Sequence, residues 1–135
     1  MPMKAILLTL PLMLGGATQL MAASLDALQG AWTAEGTSCT DTFKTVNGHS
    51  EFKDRGASLN SGIIVSGKKI TGANAVCTAG RVREEKDRLT ISMTCADTIM
   101  FSDMSVSFRI IDKDSFERFD PNFSDVLTTY HRCSP

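Results

Sequence analysis

Three pairs of carboxylates stand close together in this chain of 135 residues: Glu84 with Glu85, Asp112 with Asp114, and Asp120 with Asp125. Two acids at the right separation can cleave a glycosidic bond, one donating a proton while the other attacks or activates water, and a cluster of acids can hold calcium. The surroundings of these pairs point elsewhere. Glu84 and Glu85 lie among Arg83, Lys86, Asp87 and Arg88, a mixture of charge that keeps a hairpin tip soluble. Asp112 and Asp114 flank Lys113 in a second turn, without the glycine and terminal glutamate of an EF-hand loop. Only "DPNFSD", residues 120–125, keeps a calcium reading, as the minor alternative to a solvated loop. Acyl transfer has no visible kit either. There is no G-x-S-x-G elbow, and neither His49, in the turn-like "NGHS", nor His131, beside Cys133, is spaced to serve a serine or cysteine nucleophile. The expectation is a chain with no catalytic residue, no metal site and no cofactor.

Compartment is easier to read than chemistry. Residues 1–23 open with Lys4, continue through the apolar "AILLTLPLML" and end in the small residues of "GGATQLMAA", the pattern of a cleaved signal peptide. The apolar run is shorter than the roughly 20 residues a spanning helix needs, so no membrane span is expected in the mature chain. Four of the seven methionines (Met1, Met3, Met13 and Met21) would leave with it, which weakens a copper-thioether reading. Lys4 is its only charged side chain, so the formal balance moves from −1 to about −2. Such a chain has no basic excess with which to bind nucleic acid. Residues 24–135 are expected to form a single β domain, periplasmic or secreted.

The four cysteines, Cys39, Cys77, Cys95 and Cys133, all lie in that domain, and an even count in a short exported chain reads as two disulfides. Zinc would need closely spaced pairs, and these are tens of residues apart. Around "REEKD" the segments "NAVCTAGRV" and "RLTISMTCA" fold back as a hairpin about Lys86. That register sets Cys77 opposite Cys95, Ala79 opposite Met93 and Arg81 opposite Ile91, with the apolar members on one face. Cys77 with Cys95 and Cys39 with Cys133 is therefore the favoured pairing, the latter tying the first part of the sheet to the last strand; Cys39 with Cys77 and Cys95 with Cys133 is the alternative.

The elements that must position these residues are short strands. "AWTAEG", "TFKTV", "SGIIVSG", "KKITG", "SVSFRII", "SFERF" and "VLTTYHRC" alternate or carry β-branched residues, separated by "NGHS", "SGKK" and "DKDS". In the hairpin of "SFRIIDKDSFERF", Val106, Phe108 and Ile110 share a face. No helical period is sustained over three turns. An all-β fold follows, a small antiparallel barrel or sandwich. Two apolar features remain. "CADTIMFSDMS" places Ile99, Met100, Phe101 and Met104 where alternation does not bury all four; the simpler reading is a bend covered on both faces, the functional one an exposed patch. Trp32, the only tryptophan, is expected to pack across the barrel bottom with its N–H bonded to a nearby carbonyl; the minority reading has it touching a ligand.

Leu28-Gln29-Gly30-Ala31-Trp32 resembles the G-x-W opening of calycin barrels, which include lipocalins and the bacterial inhibitors of serralysin-type metalloproteases. The resemblance implies a calycin-like barrel. It also implies that "SLDAL", residues 24–28, would be an inhibitory arm led by Ser24 and Leu25. As a whole the chain looks like the small exported proteins of Gram-negative bacteria. The leading functional expectation is a non-enzymatic periplasmic binding domain that engages a protein partner, for example as an inhibitor of an envelope or secreted hydrolase, through Ile99, Met100, Phe101, Met104, Pro121 and Phe123. The alternative is a carrier whose interior, lined by Trp32, Phe108 and Tyr130, holds a small apolar ligand.

Overall fold

The computed structural model describes residues 24–57, 61–120 and 122–134; the signal segment expected over 1–23 and Pro121 lie outside them. In chain order the elements are a 3-10 turn (Leu25–Leu28), β1 (Gly30–Ala34), a one-turn helix α1 (Cys39–Thr42), β2 (Phe43–Val46), β3 (His49–Phe52), β4 (Gly62–Ser66), β5 (Lys69–Gly72), β6 (Val76–Glu85), β7 (Arg88–Ala96), β8 (Phe101–Asp112), β9 (Ser115–Asp120) and β10 (Phe123–Cys133). Strands β4 to β10 form an antiparallel meander, and β1 pairs with both β4 and β10, closing an eight-stranded barrel among the described residues. Closure pairs both edges of the sheet and so removes the open strands that invite aggregation. The pair β2–β3 is a separate two-stranded sheet inserted between β1 and β4.

Alternation along the strands builds the core. On β7, Leu89, Ile91, Met93 and Cys95 are buried while Thr90, Ser92 and Thr94 face outward. Val106 and Phe108 on β8 join them inside, with Ile110 packed against the edge of the cluster. The expected hairpin of β6 and β7 pairs Cys77 with Cys95 and Ala79 with Met93. Beyond them the register shifts, and Val82, not Arg81, faces Ile91. The reason is a bulge at Gly80 and Arg81, which turns the exposed Arg81 away and restores an apolar residue to the core face.

Both disulfides form in the favoured pairing, Cys39–Cys133 with 5.6 Å between Cα atoms and Cys77–Cys95 with 4.0 Å. The long-range bridge does not itself close the barrel, since β1 and β10 meet by backbone pairing. It fastens α1, and with it the β2–β3 hairpin, onto the outer wall. Beneath them Ala31, Phe43, Phe52, Ala73 and Cys133 form a second buried cluster. The Thr33 hydroxyl rests 3.7 Å from the sulfurs of Cys39 and Cys133. Gly62 makes this close packing feasible, because a Cβ there would lie 2.8 Å from both the Phe43 ring and the Trp32 carbonyl oxygen.

One end of the barrel is sealed. Trp32 is 1% exposed and its indole N–H donates to the Leu28 carbonyl at 2.8 Å. Across the β1–β10 ladder Arg132 lies opposite Trp32, with its guanidinium carbon 4.1 Å from the ring centroid. The same guanidinium donates to the carbonyls of Gln29 (2.6 Å), Ala27 (3.1 Å) and Lys113 (2.9 Å). The Gln29 side chain in turn exchanges hydrogen bonds with the Gly67 backbone, reaching the β4–β5 turn. Gly30 has φ +118°, and a Cβ there would sit 3.0 Å from Arg132 Nη1, so this position needs glycine twice over. Residues 24–28 are therefore not a free arm. Leu28 is fully buried, Leu25 packs against the core, and the segment is the lid of the sealed end.

Candidate functional site

The opposite end is where the β5–β6, β7–β8 and β9–β10 turns gather, because successive turns of an antiparallel meander alternate between ends. Ala96 ends β7, and Asp97 then organises the turn, its Oδ1 accepting from the backbone N–H groups of Ile99 (2.7 Å) and Met100 (2.8 Å). These two bonds hold the Asp97 carboxyl below its ordinary range. The covered bend expected here does not form. Ile99 is 89% exposed and Phe101 83%, with Met100 and Met104 also exposed. On the neighbouring β9–β10 turn Phe123, Val126 and Leu127 are exposed as well. Of "DPNFSD", expected as a solvated loop, the described residues largely belong to strands: Asp120 ends β9 and pairs with Phe123, the first residue of β10, before the register shifts ahead of Leu127. A tight turn and a bulge splay these apolar side chains onto the rim.

Below the rim the barrel is hollow. The hydrophobic cluster fills its sealed half with Trp32, Phe116 and Leu89. Phe116 stands at the centre, its ring 4.7 Å from Trp32, 5.5 Å from Phe108 and 5.0 Å from Tyr130, the last pair stacked. Above this aromatic floor lies a cavity of about 230 Å³, lined by Ile70, Met93, Met104, Val106, Phe108 and Tyr130 among others. The Cys77–Cys95 bridge forms part of the wall. A second hollow of about 230 Å³ adjoins it, sharing Met104, Val106 and Arg118 and reaching Asp120 and Val126 toward the rim. It lies where β9 stops short of β8: pairing of β8 with β9 begins at Ser107, and among the described residues no strand bonds the upper part of β8 on that side.

Of the residues expected to line an interior site, Phe108 and Tyr130 do, and Trp32 does not. Trp32 does not border the cavity: its ring packs on Phe116, which packs in turn on the cavity-lining Phe108 and Tyr130. Among the expected partner contacts, Ile99, Met100, Phe101 and Phe123 share the rim, Met104 belongs to both rim and cavity, and Pro121 lies outside the described residues. The sequence reading missed Arg118. It precedes Phe119 in a strand whose Phe116 was visibly apolar, and period-two alternation from Phe116 was the signal that could have set it facing inward.

No family, curated protein or solved structure matches the chain. Its chemistry rests on its own geometry. Among the described residues no group of three His, Cys, Asp or Glu side chains is placed to hold a metal ion. His49 and His131 are both exposed, His131 pairing with Thr33 on the outer face. Among the described residues no helix is long and apolar enough to cross a membrane. The arrangement can bind: an apolar hollow with an aromatic floor, a single cation in its wall and an apolar rim around its mouth.

Proposed function

We propose that this chain is a non-enzymatic binding protein of the periplasm or extracellular space, a calycin-like barrel that carries a small apolar ligand in its open half. The observation that supports this reading most is the apolar cavity of about 230 Å³ with Phe108 and Tyr130 in its wall. A cavity of 150 Å³ lined by apolar side chains is enough for benzene, so this one suits a molecule somewhat larger. Two disulfides fit an oxidising compartment, and the G-x-W residues sit on the first strand of an eight-stranded barrel, as the calycin resemblance implies. Titration calorimetry with 1-octanol tests the idea. Saturable one-to-one binding is expected, abolished by Met104→Trp, which fills the hollow from its half-exposed side. Absence of heat with octanol and with other probes of similar size would sink it.

A second reading keeps the protein partner, and the rim favours it. Six exposed apolar side chains (Ile99, Met100, Phe101, Phe123, Val126 and Leu127) gather on two adjacent turns, and such patches commonly mark interaction surfaces. On this reading, the double variant Met100→Glu/Phe101→Glu loses a partner held by the wild-type protein in crosslinked periplasmic extract while unfolding at the same temperature. Unchanged crosslinking would remove these residues from the interface.

A further inference from the structure

We infer that Arg118 is the anchor for the carboxylate of a short-chain, apolar-tailed acid bound in the open half of the barrel. The inference rests on the carrier reading and gives its ligand a chemical class.

Strand β9 sets the geometry. Phe116 points into the core, Glu117 and Phe119 point out, and Arg118 points in, between Phe108 on β8 and Thr128 on β10. Its side chain is half-buried and belongs to the walls of both hollows. The neighbouring arginines are all engaged. Arg88 and Arg109 lie over the Phe119 ring, Arg109 also pairs with Glu117 at 3.1 Å, and Arg132 is stacked and bonded at the sealed end. Arg118 has no hydrogen bond, ion pair or ring contact with any of the described residues. Asp120, the next inward position toward the rim, is not its counter-ion: its Oδ1 accepts from the Asn122 N–H at 2.7 Å and no ion pair with Arg118 forms.

The Arg118 guanidinium is half-buried, and no side-chain nitrogen among the described residues is both buried and without a partner, so its N–H groups still meet water and can exchange that water for a charged partner. An anion entering the cavity would supply the partner. The fork of the guanidinium matches the two oxygens of a carboxylate. Charge favours a headgroup with one negative charge, since Asp120 stands in the wall of the second hollow beside Arg118 and would repel a phosphate monoester, which carries nearly two. The apolar walls below then take an alkyl tail of roughly six to ten carbons, judged against the benzene-sized 150 Å³ cavity.

The test compares octanoate with 1-octanol by titration calorimetry on the wild type and on Arg118→Gln and Arg118→Lys. Octanoate is expected to bind more tightly than octanol, and Arg118→Gln to weaken octanoate about 10- to 100-fold, as loss of a charge-assisted hydrogen bond implies. Octanol affinity should not move, and Arg118→Lys should recover part of the loss. Without ligand, Arg118→Gln is expected to unfold at the same or a higher urea concentration, because no native partner is lost. Equal binding of acid and alcohol, with no effect of Arg118→Gln, would overturn the carboxylate anchor and leave the carrier reading standing. No binding of either would overturn both. A clear drop in the urea midpoint of unliganded Arg118→Gln would show a structural arginine and overturn the anchor.

Discussion

Arg132 and Arg118 sit on adjacent strands and both face inward, yet one is engaged on every side and the other on none. For Arg132 the expected consequence is structural. Arg132→Ala should cost about 2–4 kcal/mol from the lost ring contact and the carbonyls left without donors, read as a fall in the urea midpoint. Arg132→Lys should recover only part, since an ammonium cannot span the three carbonyls from over the indole. Gly30→Ala is expected to cost about 1–3 kcal/mol for the strained backbone alone. The carboxylates at the turns behave differently. Donation from the Ile99 and Met100 amides holds Asp97 below its ordinary range, and the Asp114 amide with the Ser115 hydroxyl does the same for Asp112. A lowered folded-state pKa means that the stabilisation is present above the unfolded carboxylate value and is lost as pH falls through the folded one. Protection of the Ile99, Met100 and Asp114 amides, meaning their exchange rate relative to the intrinsic rate at the same pH, should therefore hold through neutral and mildly acid pH and be lost only below the ordinary carboxylate range; loss of protection near neutrality would contradict the assignment.

At the scale of elements, the β7–β8 and β9–β10 hairpins carry the exposed residues while their strands carry the core. Charged replacements at Met100 and Phe101 are thus expected to change stability by no more than about 0.5 kcal/mol. Ile91→Ala, on the same hairpin but fully buried, should cost about 2–5 kcal/mol. Thermal melts of the two variants side by side separate the rim from the wall. The β6–β7 hairpin shows where reading from sequence succeeds and where it slips. Residues near the disulfide keep a simple register, so Cys77 and Cys95 were legible as partners. Toward the tip the bulge at Gly80 and Arg81 adds one residue to β6, and counting from a turn cannot detect an extra residue that pairs with nothing.

Across the whole molecule the two bridges do different work. Cys39–Cys133 spans 94 residues and pins the outer layer to the barrel; Cys77–Cys95 spans 18 within one hairpin. By loop entropy the first should contribute about 4.7 kcal/mol and the second about 3.2. Paired Cys→Ser replacement at 39 and 133 is therefore expected to lower the denaturation midpoint more than replacement at 77 and 95. The reverse order would mean that the outer layer stays docked without its bridge, held by the packing of Phe43 and Phe52 alone.

Local pattern was sufficient to establish the all-β class, the hairpins, the inward faces of β7 and β8 and the disulfide pairing, because each depends on period-two alternation or on residues facing each other across a short turn. Trp32 could be assigned to the barrel bottom because a lone tryptophan on the first strand of a small barrel usually packs there with its N–H bonded to a nearby carbonyl. What only the tertiary structure decided were features that arise where separate strands meet. Residues 24–28 became a lid because the carbonyls of Ala27 and Gln29 lie within reach of Arg132, more than a hundred positions away in the chain. Trp32 was packed on Phe116 and off the cavity, an arrangement that depends on the barrel closing. Arg118 was left facing an open hollow because β9 ends before the upper part of β8, and the length of one strand against another is set by how the closed barrel shares its space, which no single segment encodes.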